Sequence, residues 1–146
     1  GEKYLYRQLV DIKNGDRPIP EMTGLLNNMS DQDLWDLAAY YNEQEMVVGQ
    51  ADPDLVERGQ ALFRGGNMAS GVAACAGCHS PNGAGNEPAG YPRLGGQTAE
   101  YVEKQLKAYR DGERAGTTNA NIMVDVATRL TDAEIKALAN YVSGLN

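Results

Sequence analysis

The sequence predicts an all-α protein. Helical patterns occupy five segments, capping residues stand before three of them, and stretches rich in glycine and proline separate them. The 146 residues are 42% apolar and 23% charged, which fits one domain, or a small domain with an appendage, and excludes a disordered chain. No run of about 18 apolar residues occurs, so no membrane-spanning helix is expected.

The first two helices are predicted within residues 1–50. In the helix over 2–14, one face carries Tyr4, Leu5, Gln8, Leu9 and Ile12. Ser30 is the predicted N-cap of a second helix, over 31–45. The apolar stripe of this second helix consists of Leu34, Leu37, Ala38 and Tyr41. The residues that follow, 46–51, are predicted to be a linker.

Three further helices are predicted after the linker. Asp52 is the expected N-cap of a helix over 53–64, with Pro53 at its first position. A long loop with three prolines then leads to a helix over 98–111. The last helix, over 131–144, begins with a capping box formed by Thr131 and Glu134. Its buried stripe is predicted to consist of Ile135, Leu138, Ala139 and Val142.

An internal repeat links the two ends of the chain. A shift of 97 positions pairs Tyr4 with Tyr101, Gln8 with Gln105, Gly15 with Gly112 and Arg17 with Arg114. After an insertion of four residues within 115–122, a shift of 101 pairs Met22 with Met123. A cysteine motif precedes the second copy but not the first. Residues 1–46 are therefore expected to be the back half of a domain that lacks its front half.

The two cysteines and the only histidine lie together as Cys75, Cys78 and His79. The spacing C-x-x-C-H indicates attachment of a c-type haem, because two thiols one helical turn apart can add to the two vinyl groups of a porphyrin. The adjacent imidazole then becomes a ligand of the iron. A zinc site would need a fourth ligand, a redox dithiol would need a βαβ context, and a simple disulfide would leave the histidine unexplained.

With this motif, residues 52–146 resemble a class I c-type cytochrome. The run Tyr91-Pro92-Arg93-Leu94-Gly95-Gly96-Gln97, with Tyr101, Gln105, Leu106 and Gly112, is similar to the cytochrome c4 and c553 type. The resemblance implies a class I cytochrome c fold over 51–146, with one covalent haem c, preceded by a helical half-domain without haem over 1–50. It also implies that Gly59 and Phe63 cross the C-terminal helix, with Phe63 packed on Leu138 or Tyr141.

His79 is the expected proximal iron ligand, since no other histidine exists. The resemblance implies Met123 as the distal ligand, and Met22, its counterpart in the repeat, is expected to be a packing or exposed residue. It also implies that the Pro92 carbonyl accepts a hydrogen bond from the His79 ring and that Arg93 lies near the haem propionates. Gln97 and Tyr101 are expected to line the haem pocket.

These features predict an electron carrier and not an enzyme, because iron with two protein ligands has no open position for a substrate. Its expected partners are periplasmic or membrane-bound redox proteins, such as a dehydrogenase or an oxidase. Haem attachment implies export to the periplasm, and the absence of a signal peptide from this sequence is expected for a processed chain. Two alternatives stay open: a subunit of a larger redox enzyme, and an open-iron sensor or enzyme.

Charge and exposed apolar surface bear on the partners. The net charge of −7 excludes nucleic acid as a partner. Residues 1–50, the first unit, carry four basic and nine acidic residues, and residues 51–146 carry nine basic and eleven acidic residues. The first unit therefore supplies most of the negative charge. The apolar stripes of residues 1–50 need cover, and packing on the haem domain near the haem edge is expected, with a homodimer as the next choice.

Overall fold

The computed structural model describes all residues, 1–146, and contains seven α-helices and no β-sheet, as the all-α prediction requires. The helices are α1 (Glu2–Asn14), α2 (Asp31–Asn42), α3 (Pro53–Gly65), α4 (Ala76–His79), α5 (Ala99–Arg110), α6 (Ala120–Ala127) and α7 (Asp132–Ser143). All five predicted helices are present, although α2 ends three residues before its predicted end. No helix is long and apolar enough to cross a lipid bilayer.

Capping side chains define the starts of three helices at the predicted residues. The Ser30 hydroxyl accepts a hydrogen bond from the backbone N–H of Asp33, and the Asp33 carboxylate accepts one from the backbone of Ser30. Thr131 and Glu134 form the same reciprocal pair at α7. Asp52 caps α3. Each of these caps satisfies backbone donors that the first helical turn leaves free.

The core of residues 51–146 forms where α3 crosses α7. A Cβ atom on Gly59 would lie 2.3 Å from the carbonyl oxygen of Ala137, so only glycine lets the two backbones approach this closely. Phe63, fully buried on α3, packs on Tyr141 with 5.5 Å between the ring centroids. This crossing confirms the expectation for Gly59 and Phe63. The predicted stripe of α7 is buried in full.

The helices α1 and α2 pack on each other within residues 1–50. Tyr6 of α1 stacks on Trp35 of α2, with ring centroids 3.9 Å apart and an interplanar angle of 5°. One prediction is wrong here: Tyr41 is 58% exposed and does not join the buried stripe of α2. On the predicted face of α1, Gln8 is buried and the apolar side chains are half-buried. Asp11, which was not predicted on that face, is buried as well, because Thr118 binds its carboxylate.

Residues 1–50 pack on residues 51–146, as expected. Lys3 Nζ donates to the carbonyl oxygen of Pro88 at 2.9 Å, and Arg7 donates to the carbonyl oxygen of Gly90. Both acceptors belong to the long loop that precedes α5. The first unit therefore covers this loop, and the homodimer stays a prediction.

Candidate haem-binding site

A cavity of about 780 Å³ lies between the loops and helices of residues 73–142 and the first unit. All eight predicted site residues line it: Cys75, Cys78, His79, Pro92, Arg93, Gln97, Tyr101 and Met123. Apolar side chains form much of the remaining wall, Phe63 and Leu138 of the core among them. A deep apolar cavity with a few convergent polar groups is the usual form of a cofactor site.

His79 stands at the end of α4 with its ring in a fixed orientation. The ring is buried, and its Nδ1 atom lies 2.9 Å from the carbonyl oxygen of Pro92. A carbonyl oxygen can only accept, so Nδ1 carries the proton and Nε2 keeps its lone pair. Burial lowers the pKa of His79, and the hydrogen bond to Pro92 opposes this shift. A neutral imidazole with a free Nε2 is the form that binds a metal.

The loop after His79 positions the Pro92 carbonyl. Gly85 has φ of +82°, and its backbone N–H donates to the carbonyl oxygen of His79 at 2.9 Å. The Ser80 hydroxyl donates to the carbonyl oxygen of Gly85 at 2.7 Å. A Cβ atom on Gly85 would lie 2.7 Å from the carbonyl oxygen of Tyr91 and from the carbonyl carbon of Pro92. The loop can therefore reach the Pro92 segment only with glycine at this position.

The two cysteines lie at the start and in the third position of the short helix α4. Cys75 is its N-cap and Cys78 falls within it, so the thiols are one turn apart. They are not joined by a disulfide. Burial raises the pKa of the Cys75 thiol to about 11. The structure contains no group of three or more His, Cys, Asp or Glu side chains placed to hold a metal ion.

The methionines differ clearly in position. Met123, half-buried on α6, lines the cavity together with His79. Met68 is 96% exposed, and Met22 lines a separate, smaller cavity of about 440 Å³. Met46, predicted to lie in a linker, also lines the large cavity. Among the methionines, Met123 and Met46 are therefore the two at the site, and only Met123 lies on a helix.

Residues from both copies of the repeat meet in the cavity wall, which the sequence interpretation did not foresee. Arg17 Nη1 donates to Gln8 Oε1 at 2.9 Å, and Arg17 Nη2 donates to the hydroxyl of Tyr101 at 2.9 Å. Arg114 Nη1 donates to Gln105 Oε1, and its Nη2 donates to Gln8 Oε1, both at 2.9 Å. The internal repeat pairs Arg17 with Arg114 and Gln8 with Gln105 in the sequence. This pairing could have singled these residues out, but it indicates no role for them.

The remaining predicted residues form local hydrogen bonds. Arg93 Nε donates to the carbonyl oxygen of Gly95 at 3.0 Å, which holds the guanidinium at the cavity edge. The Gln97 side chain accepts from the backbone N–H of Thr98 at 2.9 Å. Tyr101 binds Arg17 through its hydroxyl, as above. The place of these side chains in the wall agrees with a pocket-lining role.

The residues present fit a covalently bound haem. Two thiols one turn apart adjoin a neutral imidazole, a thioether lines the same cavity, and much of its wall is apolar. The Nε atom of Arg114 is buried and has no hydrogen-bond partner. An orphaned buried donor beside a cavity calls for an acceptor from a bound group.

The sequence and the fold match known proteins over the whole chain. The family model described as cytochrome c matches residues 56–146. Cytochrome c4 of Pseudomonas aeruginosa is 53% identical over 146 residues, which span 100% of this chain and 73% of that protein. The chain belongs to the cytochrome c family. It is cytochrome c4-like: the crystal structure of reduced recombinant cytochrome c4 from Pseudomonas stutzeri superposes with a TM-score of 0.95 at 48% identity, covering 100% of this chain and 82% of that one.

Another relative is named a thiosulfate dehydrogenase electron acceptor, from Thiomonas intermedia. It is 34% identical over 149 residues, which span 97% of this chain and 66% of that protein. Together the relatives identify this cytochrome as an electron-transfer protein rather than an enzyme, as the motif predicted. Membership of the family implies a covalently bound c-type haem.

Proposed function

We propose that this cytochrome is a periplasmic one-electron carrier with a single haem c attached to Cys75 and Cys78. His79 and Met123 are its iron ligands in this proposal. The observation that carries it is the hydrogen bond of 2.9 Å between His79 Nδ1 and the Pro92 carbonyl, which leaves Nε2 free inside the cavity that Met123 also lines. The chain contains one C-x-x-C-H motif, which supports one haem per chain.

The chain's own residues set the properties of the carrier. When bound, the haem iron supplies the change between the ferric and ferrous states. The carbonyl oxygen of Pro92 accepts a hydrogen bond from Nδ1–H of His79, and this makes the imidazole a more basic ligand. The Met123 thioether would be a soft ligand, which would raise the reduction potential. With His79 and Met123 both bound to the iron, no position would be open to a substrate, which would suit electron transfer.

Residues 1–50 form, in this proposal, a helical unit equivalent to the back half of a cytochrome domain, with no haem of its own, and residues 51–146 form the haem domain. Two matched features of the fold support this. Gly15 is the C-cap of α1, and Gly112 follows the C-cap of α5, with φ of +86° and +83°. Ser30 and Thr131 begin α2 and α7 with the same capping box.

The proposed partners are redox proteins of the periplasm, with a dehydrogenase as the electron donor and an oxidase as the acceptor. The relative named as an electron acceptor of a thiosulfate dehydrogenase supports a donor of this class. The acidic residues of α2 and its C-terminal side are exposed: Asp31, Asp33, Asp36, Glu43 and Glu45. Such a surface steers a basic partner, and the rate of electron transfer should fall as ionic strength rises.

The ferric absorption spectrum of the holoprotein tests the ligand assignment. The Met–iron charge-transfer band at the long-wavelength end of the visible spectrum should be present, and Met123→Ala should abolish it. Met22→Ala is the matched control, because Met22 is the repeat counterpart of Met123 and lies at another cavity. A high-spin wild-type spectrum without the band would contradict the proposal and favour an open-iron sensor or enzyme.

A further inference from the structure

The two segments that carry the proposed haem attachment and iron ligands contain no charged side chain. No Asp, Glu, Lys or Arg occurs between Arg64 and Glu87, or between Arg114 and Asp125, although 23% of the whole chain is charged. Exposed residues of both segments line the large cavity: Ala73, Cys78, Ala84, Thr118, Asn119 and Ile122. Uncharged surface therefore borders part of the cavity opening.

The loop of residues 67–71, called the Met68 loop below, presents an apolar side chain from a firm support. Backbone hydrogen bonds of 2.9 Å in both directions between Asn67 and Val72 close the loop. Asn67 Oδ1 accepts from a backbone N–H within the loop at 3.1 Å, and Asn67 Nδ2 donates to Glu134 Oε1 of α7 at 2.9 Å. The loop is thus fixed to the core, while Met68 at its tip is 96% exposed.

Exposure alone does not distinguish Met68, because single exposed apolar side chains are common on protein surfaces. Its support does. A side chain on a loop that is already ordered loses little further backbone freedom when another protein contacts it. The flexible thioether side chain also adapts to apolar surfaces of irregular shape. Met68 is therefore suited to insert into an apolar recess of another protein.

The Met68 loop lies beside α6. A Cβ atom on Gly71 would lie 2.8 Å from Arg129 Nη1, so the Arg129 side chain reaches the loop. Arg129 Nη2 donates to Asp125 Oδ1 of α6 at 2.9 Å, and this ion pair compensates both charges. Ile122, 42% exposed, lies one turn before Asp125 on the same side of α6. Loop and helix together form a neutral face, which consists of Met68, Ala69, Ala73, Cys78, Asn119 and Ile122.

We propose that the neutral face is the docking site for a redox protein whose own contact surface is uncharged and apolar, with Met68 as the anchoring side chain. The inference rests on the haem carrier proposed above and specifies the partner surface that it fits. A face without charges loses its water at little cost, whereas a charged partner surface would have to bury its charges unpaired. Cys78 lies within this face, so docking brings the partner to a residue proposed to hold the haem.

The acidic residues of α2 and the neutral face act at different distances. The acidic residues belong to the first unit and attract a basic partner during its approach, and salt weakens this attraction. The neutral face acts only at contact, through burial of apolar surface. Association of the neutral face with an uncharged surface should therefore not weaken as ionic strength rises.

Alkanethiol monolayers on gold can stand in for the partner surface, with methyl ends for an apolar surface and ammonium ends for a basic one. The association constant of the holoprotein follows from the voltammetric charge of the adsorbed protein as its concentration is varied. Met68→Gln should bind the methyl-terminated monolayer about tenfold less tightly than the wild type, which corresponds to about 1.4 kcal/mol. On the ammonium-terminated monolayer the two should bind equally, because the acidic residues are unchanged.

Leu25→Gln is the matched control, since Leu25 is an apolar residue of the first unit that is 64% exposed and does not line the large cavity. It should bind the methyl-terminated monolayer as the wild type does. Undiminished binding by Met68→Gln, an equal loss in Leu25→Gln, or a loss of the same size on the ammonium-terminated monolayer would overturn the docking site.

Two measurements on the wild-type holoprotein test the same proposal without a variant. Its association with the methyl-terminated monolayer should persist as the NaCl concentration rises, and a fall would overturn the docking site. It should not sediment with phosphatidylcholine vesicles, and cosedimentation would overturn the proposal, because the face would then fit a lipid surface. A missing Met–iron band in solution would instead contradict the carrier on which the inference rests.

Discussion

At Gly85 the chain turns with φ of +82° directly behind the peptide that presents the Pro92 carbonyl to His79. The position combines two demands, a left-handed backbone and a lack of space for a Cβ atom. Gly112 has the same backbone conformation but nothing within 4 Å of its Cβ position. The two glycines therefore separate the cost of backbone strain from the cost of steric overlap.

Gly112→Ala should lower the free energy of unfolding by about 1 kcal/mol, from backbone strain alone. Gly85→Ala should cost about 2 to 4 kcal/mol, because its Cβ also displaces the Pro92 segment. Displacement weakens the hydrogen bond to His79, makes the imidazole less basic and raises the midpoint potential. Denaturant titration and potentiometry check both effects. Equal losses of stability in the two variants would contradict the steric argument.

At this scale, the sequence was informative where chemistry depends on spacing. Cys75, Cys78 and His79 lie within five residues of the chain, so their proximity in space follows from the sequence alone. Met123 and Pro92 required the family resemblance, because only the fold brings them to the same cavity. Arg17 and Arg114 were visible as a repeated pair, yet an arginine is normally exposed. Nothing in the sequence indicated that folding would bury both.

Helices were predictable where a capping residue and an apolar stripe coincide. α7 has both, and each of its bounds lies within one residue of the prediction. The N-cap of α6, Asn119, has a left-handed conformation and makes no side-chain cap hydrogen bond, so no start signal marks this helix. α4 has only four residues and depends on the packing around His79. The burial of Asp11 on α1 was missed because its partner, Thr118, is 107 residues distant in the chain.

The capping box of α7 should make stability depend on pH. Hydrogen bonds from Thr131 and Asn67 hold the pKa of buried Glu134 below its usual 4.5, with the Thr131 backbone N–H as the largest cause. A carboxylate with a lowered pKa adds stability above its unfolded-state pKa and loses it as pH falls through the folded-state value. Glu134→Gln should therefore cost about 1 kcal/mol at neutral pH, and the cost should shrink in acid.

Asp33 in the capping box of α2 is the matched control for Glu134. Its pKa is also lowered, chiefly by the Ser30 backbone N–H, but the residue is exposed. Asp33→Asn should therefore have a smaller effect on the free energy of unfolding at neutral pH, because water replaces the lost hydrogen bonds. Thermal unfolding of both variants at neutral and acidic pH compares them. A pH-independent loss in Glu134→Gln would contradict the assignment.

In the whole molecule, the first unit holds the segment that leads to Met123. Asp11, 3% exposed, accepts hydrogen bonds from the backbone N–H and the hydroxyl of Thr118, at 2.9 and 2.7 Å. Thr118 lies in the insertion that distinguishes the second copy of the repeat, two residues before α6. The insertion therefore serves as a contact between the two units, and the position of α6 depends on it.

Asp11→Ala should loosen this segment without unfolding the protein. The Met–iron band of the holoprotein should disappear at a lower temperature than in the wild type, while global unfolding by far-UV circular dichroism shifts less. Asp16→Ala is the control, since the Asp16 side chain is exposed and binds no other side chain. Parallel shifts of the two transitions would indicate a purely global effect.

The stacked pair of Tyr6 and Trp35 has a practical consequence for such experiments. Trp35 is the only tryptophan in the chain and lies on α2, within residues 1–50. Because a bound haem quenches indole emission at short range, the fluorescence of Trp35 reports on how close the first unit lies to the haem, whereas visible absorption reports on the iron ligands. One sample therefore carries two optical probes. A rise in fluorescence before any change in visible absorption would show that the two units separate before the haem site melts.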